Sequence, residues 1–267
     1  MQRVPGDGGA AGNGFGWRGH RCILLVGAAF VAAGCEGPQS LLDPAGPSAR
    51  AIAAVWWWMV GVAMVVWGGT AAAWLWGMRR GRTRSSDGAP AATDAAHPRA
   101  GRRWIVLGGL VLPSVSIAAL LVFGTPAGRH QLALPWQAGD GPAPLVVHAT
   151  GVQWRWELHY PATGTTLHNE LRIPVGVPID VHTQSRDVIH SFWVPRLGGK
   201  LDAIPGRSLV VRLRADAPGT YRGQCAEFCG LGHAHMVMTV VAMPPDAFDD
   251  WLRRQPPGDA TPSRPAP

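Results

Sequence analysis

The stretch GQCAEFCGLGHAHM, residues 223–236, brings thiol, imidazole and thioether side chains together in one short segment. Cys225 and Cys229 are four positions apart, His233 follows four positions later, and Met236 three positions after that. Thiolate, imidazole and thioether together form a soft ligand set that suits copper. The segment therefore predicts a copper site.

Other uses of these residues stay open at this point. A disulfide between Cys225 and Cys229 would close a tight ring and would not need the neighbouring His and Met. Zinc accepts Cys and His but rarely takes Met. A mononuclear copper site needs one thiolate, whereas two thiolates on one loop can each bridge two metal ions, which favours a dinuclear copper centre.

A dinuclear centre needs an imidazole for each metal ion, so a second histidine must come from elsewhere in the chain. His190, in DVIHSFWVPRLGGK, follows a β-rich run and has large apolar neighbours, which makes it the best candidate. Phe192, Trp193 and Phe228 are predicted to form an apolar shell around the centre. Asp187 either hydrogen-bonds His190 or caps a turn.

Two apolar runs predict membrane-spanning helices. Residues 51–77 contain no charged side chain and have tryptophans near both ends, and residues 104–124 form a second run that Pro113 interrupts. The connecting residues 78–103 carry seven Arg and two Asp, which the positive-inside rule places in the cytoplasm. Because the basic residues cluster there, the net charge of +7 has a topogenic role, and no nucleic-acid partner is expected.

The two ends of the chain have their own signals. Residues 1–34 predict a signal peptide, with a basic start, a short apolar core and small residues before Cys35. The ending resembles a bacterial lipobox in which Cys35 would be lipidated. Because Ala32 replaces the usual leucine, an ordinary signal peptide or an uncleaved anchor stays open. Residues 256–267 are Pro-rich and predict a disordered tail.

Residues 144–255 predict an all-β domain outside the membrane. Short β-rich runs with much alternation are separated by Gly, Pro and Asp, and PPDAFDDWLRR predicts a short closing helix. Trp154 and Trp156, two positions apart in VQWRW, are predicted to share one strand face.

DVIHSFWVPRLGGKLDAIPGR and YRGQCAEFCGLGHAHM closely resemble subunit II of haem-copper cytochrome c oxidases, the subunit that bears the CuA centre. VQWRW resembles the aromatic motif of that family, and the resemblance covers about residues 38–255. It implies two transmembrane α-helices in a hairpin followed by an all-β cupredoxin-like Greek-key barrel.

The resemblance also implies a role for each site residue. His190 and Met236 would bind one copper ion, His233 and the backbone carbonyl of Glu227 would bind the other, and the two cysteines would bridge both. The Glu227 carboxylate would point toward a magnesium site shared with subunit I. Trp154 would receive electrons from cytochrome c. The implied ligands are His190, Cys225, Glu227, Cys229, His233 and Met236.

The function implied by this resemblance is electron transfer in a respiratory terminal oxidase of the bacterial inner membrane. Electrons would pass from cytochrome c through CuA to haem in subunit I, where oxygen is reduced to water. No catalytic residue is expected in this subunit. The implied partners are subunit I, other oxidase subunits, cytochrome c and the membrane. No Cys-x-x-Cys-His motif is present, so no covalent haem is expected.

The sequence departs from the family pattern at one position, and three alternative functions stay open. AGRRWIV lacks the glutamate that many members carry near the second span, which puts a proton-uptake role in question. A quinol-oxidase relative would lack the copper ligands, and a CuA subunit of another reductase, such as one for nitric oxide, would differ in its partner subunit. A copper chaperone with Cys-x-x-x-Cys would have one span, a thioredoxin fold and a downstream histidine.

Overall fold

The structure is a computed structural model, and it describes residues 37–86, 98–130, 132 and 143–255. The predicted signal peptide 1–34, Cys35 and the predicted tail 256–267 lie outside the described residues, as do residues 87–97 of the predicted cytoplasmic loop. The described residues form helices in the first half and a β-domain in the second half.

Four α-helices occur in the described residues, three of them before the β-domain. They are α1 (Pro47–Ser86), α2 (Pro98–Val106), α3 (Leu112–Arg129) and the closing helix α4 (Pro245–Arg253), with a π-helical turn at Leu107–Val111 between α2 and α3. By length and composition, Pro47–Gly81 and Gly101–Thr125 could each cross a membrane, and both extend beyond the predicted spans.

The π-helical turn lies directly before Pro113, and proline chemistry explains its position. Pro113 has no N–H to donate and its ring would clash with the preceding turn of a regular helix. The backbone widens there, and the N–H of Leu112 donates to the carbonyl of Leu107, five residues back. The rings of Trp58 in α1 and Phe123 in α3 lie 5.9 Å apart, so the two apolar helices contact each other as a hairpin.

The β-domain consists of ten strands in two five-stranded sheets. The strands are β1 (Leu145–Val152), β2 (Arg155–Tyr160), β3 (Thr165–His168), β4 (Glu170–Pro174), β5 (Ile179–Ser185), β6 (His190–Trp193), β7 (Leu201–Ala203), β8 (Leu209–Leu213), β9 (Gly219–Cys225) and β10 (Val237–Met243). The first sheet has the order β3-β2-β1-β5-β8, and the second has the order β4-β10-β9-β6-β7. The β1–β5 and β4–β10 pairs are parallel, and the other named pairs are antiparallel.

Aromatic side chains join the two sheets. Trp156 of β2 packs edge-on against Phe192 of β6, with ring centroids 5.5 Å apart. At one end of the core, Trp251 of α4 packs on Tyr160 at 5.6 Å. The predicted fold class is confirmed: two long apolar helices are followed by an all-β cupredoxin-like domain, whose strands form two facing sheets.

The segment before α1 is fixed to the β-domain. The N–H of Ala45 donates to the carbonyl of Arg196 at 2.7 Å, and the N–H of Asp216 donates to the carbonyl of Ala45 at 2.9 Å. Arg196 also pairs with Asp43 at 2.7 Å, and Arg50 pairs with Asp216. The first helix therefore starts from a fixed point on the β-domain.

Three histidines lie side by side on the outer face of the first sheet. His148 of β1 is in register with His159 of β2 and with His182 of β5. The ring centroids are 6.1 Å apart for the first pair and 5.2 Å apart for the second. We call these three residues the histidine row. Burial, and then the proximity of His182 and His159, lowers the pKa of His148 below its ordinary value.

Acidification is expected to destabilise the β-domain through His148. Because its pKa is lower in the folded chain than in the unfolded chain, unfolding takes up a proton, and the free energy of unfolding falls as the pH drops through about 6.5. The charged groups in the neighbouring rows of this face are ion-paired, Asp180 with Arg212 and Glu157 with two arginines. The substitution His148→Gln should flatten this dependence in thermal unfolding followed by circular dichroism. An unchanged pH dependence in this variant would contradict the assignment.

Candidate metal centre

The predicted copper ligands come from two neighbouring strands and the connection that follows them. His190 begins β6, Cys225 ends β9, and the antiparallel pairing of these strands sets Phe192 opposite Cys225. The loop from β9 to β10 is closed at its base, where the N–H of Cys225 donates to the carbonyl of Met236 at 2.9 Å. The N–H of Ala226 donates to the carbonyl of Ser191, also at 2.9 Å. The sheet therefore holds both ends of the loop.

The first thiol lies among three potential ligands. Cys225 Sγ is 3.8 Å from Cys229 Sγ and 3.8 Å from Nδ1 of His190. The backbone carbonyl oxygen of Glu227 is 3.2 Å from the same sulfur. The remote histidine and the loop are thus brought together as the sequence predicted.

The second thiol completes the cluster. Cys229 Sγ is 3.6 Å from Nδ1 of His233 and 3.8 Å from Sδ of Met236. The other four predicted donor groups therefore surround the pair of sulfur atoms.

The chemistry of this donor set fits copper. Both thiols are free and buried, and their separation is far longer than the disulfide bond length of about 2.05 Å, so the disulfide alternative is not what the structure contains. The potential ligand atoms of His190, Cys225 and Cys229 lie within 4.8 Å of one another. Met236 is fully buried beside them, and a thioether in the set favours copper over zinc.

Burial sets the protonation of the cluster. Burial, and then the neighbouring Cys225 sulfur, raises the pKa of the Cys229 thiol to about 12. Without metal this thiol is therefore neutral at physiological pH. Because the thiolate is the ligand, metal binding has to displace its proton.

Asp187 holds the ring of His190 in place. Its Oδ1 lies 2.8 Å from Nε2 of His190, which leaves Nδ1 to face the thiols. The same carboxylate accepts the N–H of Gln153 and the N–H of Val188, each at 2.7 Å. Burial acts to raise the pKa of Asp187, but the hydrogen bonds from Gln153, His190 and Val188 outweigh it and hold the pKa below its usual value. Asp187 therefore both bonds His190 and caps the turn.

Replacing Asp187 with asparagine should weaken copper binding while leaving every ligand present. The substitution removes the charge that orients the imidazole, and losses of this kind typically lower metal affinity by about 10–100-fold. Competition titration with a copper chelator measures the change. Asp249→Asn, on the exposed side of α4, is the matched control and should keep the parental affinity. Equal affinities in the two variants would contradict the role of Asp187.

Trp154 connects the protein surface to the cluster. Its Nε1 donates to the carbonyl of Cys229 at 3.0 Å, and Nε2 of Gln153 donates to the same carbonyl at 2.8 Å. The indole is 41% exposed. Gln153 was not predicted from the sequence, and the only signal for it was its position next to Trp154.

The prediction that Trp154 and Trp156 share a strand face was wrong. β1 ends at Val152 and β2 begins at Arg155, so Trp154 lies in the turn between them, where strand alternation does not apply. Trp156 is fully buried and packs edge-on against His190, with ring centroids 6.0 Å apart. Trp156 is therefore part of the apolar shell of the centre, a role that the sequence analysis missed.

The predicted apolar shell is only partly correct. Phe192 is fully buried and Trp193 is partly buried, but Phe228 is 74% exposed and contacts only the edge of the cluster, at 5.8 Å from the His233 ring. Phe228 points outward because it lies at the tip of the loop, beyond the sheet that buries its neighbours.

Two glycines allow the close packing at the centre, and the sequence analysis missed both. A β-carbon at Gly151 would lie 2.7 Å from Cδ2 of His190, and a β-carbon at Gly232 would collide with the Trp154 indole. Gly151 lies inside β1, where a glycine often marks a close approach of another group. The place of Gly151 inside a predicted strand was therefore the sequence signal for this close approach.

The Glu227 carboxylate lies outside the cluster and faces a lysine. Nζ of Lys200 is 3.8 Å from Oε2 of Glu227 and 3.9 Å from Oδ1 of Asp202. The magnesium site at Glu227 stays a prediction. The carboxylates of Glu227 and Asp202 both lie close to the amino group of Lys200.

Comparison with known proteins gives the family. Residues 163–243 match the family described as cytochrome c oxidase subunit II, periplasmic domain. The chain is 30% identical over 232 residues to quinol oxidase subunit 2 of Bacillus spizizenii, which covers 87% of this chain and 71% of that protein. The chain belongs to the subunit II family of haem-copper oxidases. Its His190, Cys225 and Cys229 cluster is a candidate copper site of that family, and its two apolar helices make it a membrane-anchored subunit.

Other relatives of this subunit II chain match over shorter stretches. It is 41% identical over 108 residues to cytochrome c oxidase subunit 2 of Alkalihalophilus pseudofirmus, covering 40% of this chain and 32% of the relative. The match to such relatives spans about a third of their length. Among solved structures, the periplasmic domain of cytochrome oxidase subunit II from Bradyrhizobium japonicum is 33% identical, with a TM-score of 0.41, covering 42% of this chain and 94% of that one.

Proposed function

We propose that this subunit takes electrons from cytochrome c at a dinuclear CuA centre and passes them to haem in subunit I of a respiratory terminal oxidase, where oxygen is reduced to water. The observation that carries the proposal is the set of four further donor groups around two free, buried thiols. No residue of this chain is assigned a catalytic role in oxygen reduction.

The cluster residues are assigned as ligands by their chemistry and their positions. A copper pair bridged by thiolates stores and passes on single electrons with little movement of its ligands. The sheet fixes His190 and Cys225, and the hydrogen bond at the base of the loop fixes Met236, so the donors stay in place between redox states. The assigned ligands are His190, Cys225, the Glu227 carbonyl, Cys229, His233 and Met236.

Trp154 is assigned as the point at which electrons arrive. Its indole is exposed on one side and hydrogen-bonded to the carbonyl of a ligand cysteine on the other. Ile189 and Leu231, which are 44% and 96% exposed, flank the centre in the chain. We assign these exposed side chains, together with the indole, to the surface that docks cytochrome c.

The remaining assignments concern the complex around the subunit. We place the β-domain on the outer face of the bacterial inner membrane, held by two spans, with Cys35 lipidated. Lys200 and Asp202 lie beside Glu227 on the side assigned to subunit I, where a magnesium ion would bind the Glu227 carboxylate. Subunit I, the other oxidase subunits and cytochrome c are the expected partners.

Quinol is the second candidate donor because the chain matches a quinol oxidase subunit over most of its length. A quinol-oxidising relative would lack the copper ligands. Because this chain has a suitable residue at each of the six assigned ligand positions, cytochrome c is favoured as the electron donor. The all-β domain argues against a copper chaperone, since a thioredoxin fold would contain helices packed on its sheet.

Oxygen consumption by the purified complex distinguishes the two donors. The complex should consume oxygen with reduced cytochrome c as the electron donor and show little turnover with ubiquinol. Nitric oxide in place of oxygen tests the acceptor and should not be turned over at a comparable rate. Rapid oxygen consumption with ubiquinol, together with no oxygen consumption with reduced cytochrome c, would overturn the proposal.

A further inference from the structure

We propose that the histidine row, His148, His159 and His182, binds a divalent transition-metal ion of the zinc or cupric type. This site is separate from the thiol cluster and does not depend on the function proposed above. The row lies on the outer face of the first sheet, whereas His190 points into the core from the second sheet.

Strand register brings the three rings together. Residues directly opposite each other on neighbouring strands have Cβ atoms about 4.5–5.5 Å apart, so the three imidazoles start from adjacent positions on one face. The rings of His148 and His182 are 5.2 Å apart, which suits two nitrogens that each lie about 2.0–2.1 Å from one metal ion. These two residues supply the first two ligands.

His159 supplies the third ligand and is already oriented. Its Nδ1 lies 3.0 Å from the hydroxyl oxygen of Thr166 on β3, which leaves Nε2 for a metal ion. Histidine ligands commonly use their second ring nitrogen in this way. Among the described residues, only the thiol cluster has three potential ligand atoms within 4.8 Å of one another. Binding at the row therefore requires its three side chains to rotate toward a common point.

The surroundings of the row suit a cation that prefers imidazole. Arg212 forms two hydrogen bonds to Asp180, at 2.7 and 2.8 Å, and the arginines at positions 155 and 186 pair with Glu157. Two carboxylates thus offset most of the positive charge of the three arginines in the adjacent rows. Neutral imidazoles suit zinc, copper and nickel, whereas calcium and magnesium prefer oxygen ligands. The lowered pKa of His148 keeps its ring in the neutral, ligating form.

The test uses the full chain in detergent, without a polyhistidine tag, in a Cys225→Ser/Cys229→Ser background that removes the competing thiols. Equilibrium dialysis with Zn²⁺ should find a saturable site. Affinity should fall by about tenfold or more in His148→Gln and in His182→Gln, as expected when a ligand is removed. His168→Gln is the matched control, since His168 is exposed on the same face but lies outside the row, opposite Glu157.

A second readout identifies the ligands. Cu²⁺ bound at the row should give a paramagnetic resonance spectrum with splitting from ring nitrogens, and His148→Gln should remove that signal. Should the double-serine background fail to fold by circular dichroism, the copper-loaded parental chain replaces it in the same titrations. Unchanged zinc affinity in His148→Gln would overturn the proposal. So would an equal loss in His168→Gln, because that result indicates unspecific binding by surface histidines.

Discussion

Replacing Cys229 with serine is expected to abolish the paired-copper centre and, with it, electron transfer from cytochrome c. The Cys229 sulfur lies within 3.8 Å of Cys225, His233 and Met236, so its loss removes the atom that these donors share. A serine hydroxyl is a poor ligand for a soft metal ion. Burying that hydroxyl should also destabilise the β-domain by about 1–3 kcal/mol, which leaves it folded at low temperature. Copper content and paramagnetic resonance measure the loss of the centre, stopped-flow mixing with reduced cytochrome c measures electron transfer, and circular dichroism measures stability.

The control for this substitution is another buried sulfur. Met238 in β10 is 2% exposed and lies two residues beyond the assigned ligand Met236, so Met238→Leu should keep the copper pair. Cys225→Ser should behave like Cys229→Ser, since both thiols are assigned as bridges. A paired-copper signal that survives in Cys229→Ser would contradict the assignment.

Replacing Trp154 with alanine is expected to slow reduction by cytochrome c while leaving the copper content unchanged. The substitution removes an exposed aromatic side chain and its hydrogen bond to the Cys229 carbonyl, but no assigned ligand. Tryptophans at the centre of a protein interface typically contribute about 2 kcal/mol or more, which corresponds to about thirtyfold weaker donor binding. Stopped-flow mixing with reduced cytochrome c measures the rate.

Val146→Ala is the control for the Trp154 substitution. Val146 is 38% exposed on the outer face of the first sheet, next to the histidine row, and its truncation should not affect the rate. Parental rates in Trp154→Ala, or equal losses in the two variants, would contradict the role assigned to Trp154.

The grouping of the cluster residues could be predicted from the sequence because most of them lie in one loop, and their binding of copper stays a prediction. Cys225, Cys229, His233 and Met236 are close neighbours in the chain, so spacing and side-chain chemistry were enough. His190 required a long-range inference, which its apolar neighbours supported. The structure adds how His190 is held: Asp187 orients the imidazole, and Gly151 leaves room for it.

Features that depend on the pairing of distant strands could not be predicted. The histidine row is formed by residues on three strands, and only the register between those strands aligns them. The exposure of Phe228 and the placement of Trp154 off the face of Trp156 were missed for a related reason, since both residues lie in a turn or loop where strand alternation gives no information. The π-helical turn before Pro113 was also not predicted, although the sequence showed that Pro113 interrupts the apolar run.

Paramagnetic resonance of the copper-loaded chain, combined with elemental analysis, tests the proposed centre most directly. A mixed-valence pair predicts hyperfine splitting from two equivalent copper nuclei, with a pair of copper ions bound per chain. The splitting of a single copper nucleus, or zinc in place of copper in the folded protein, would contradict it.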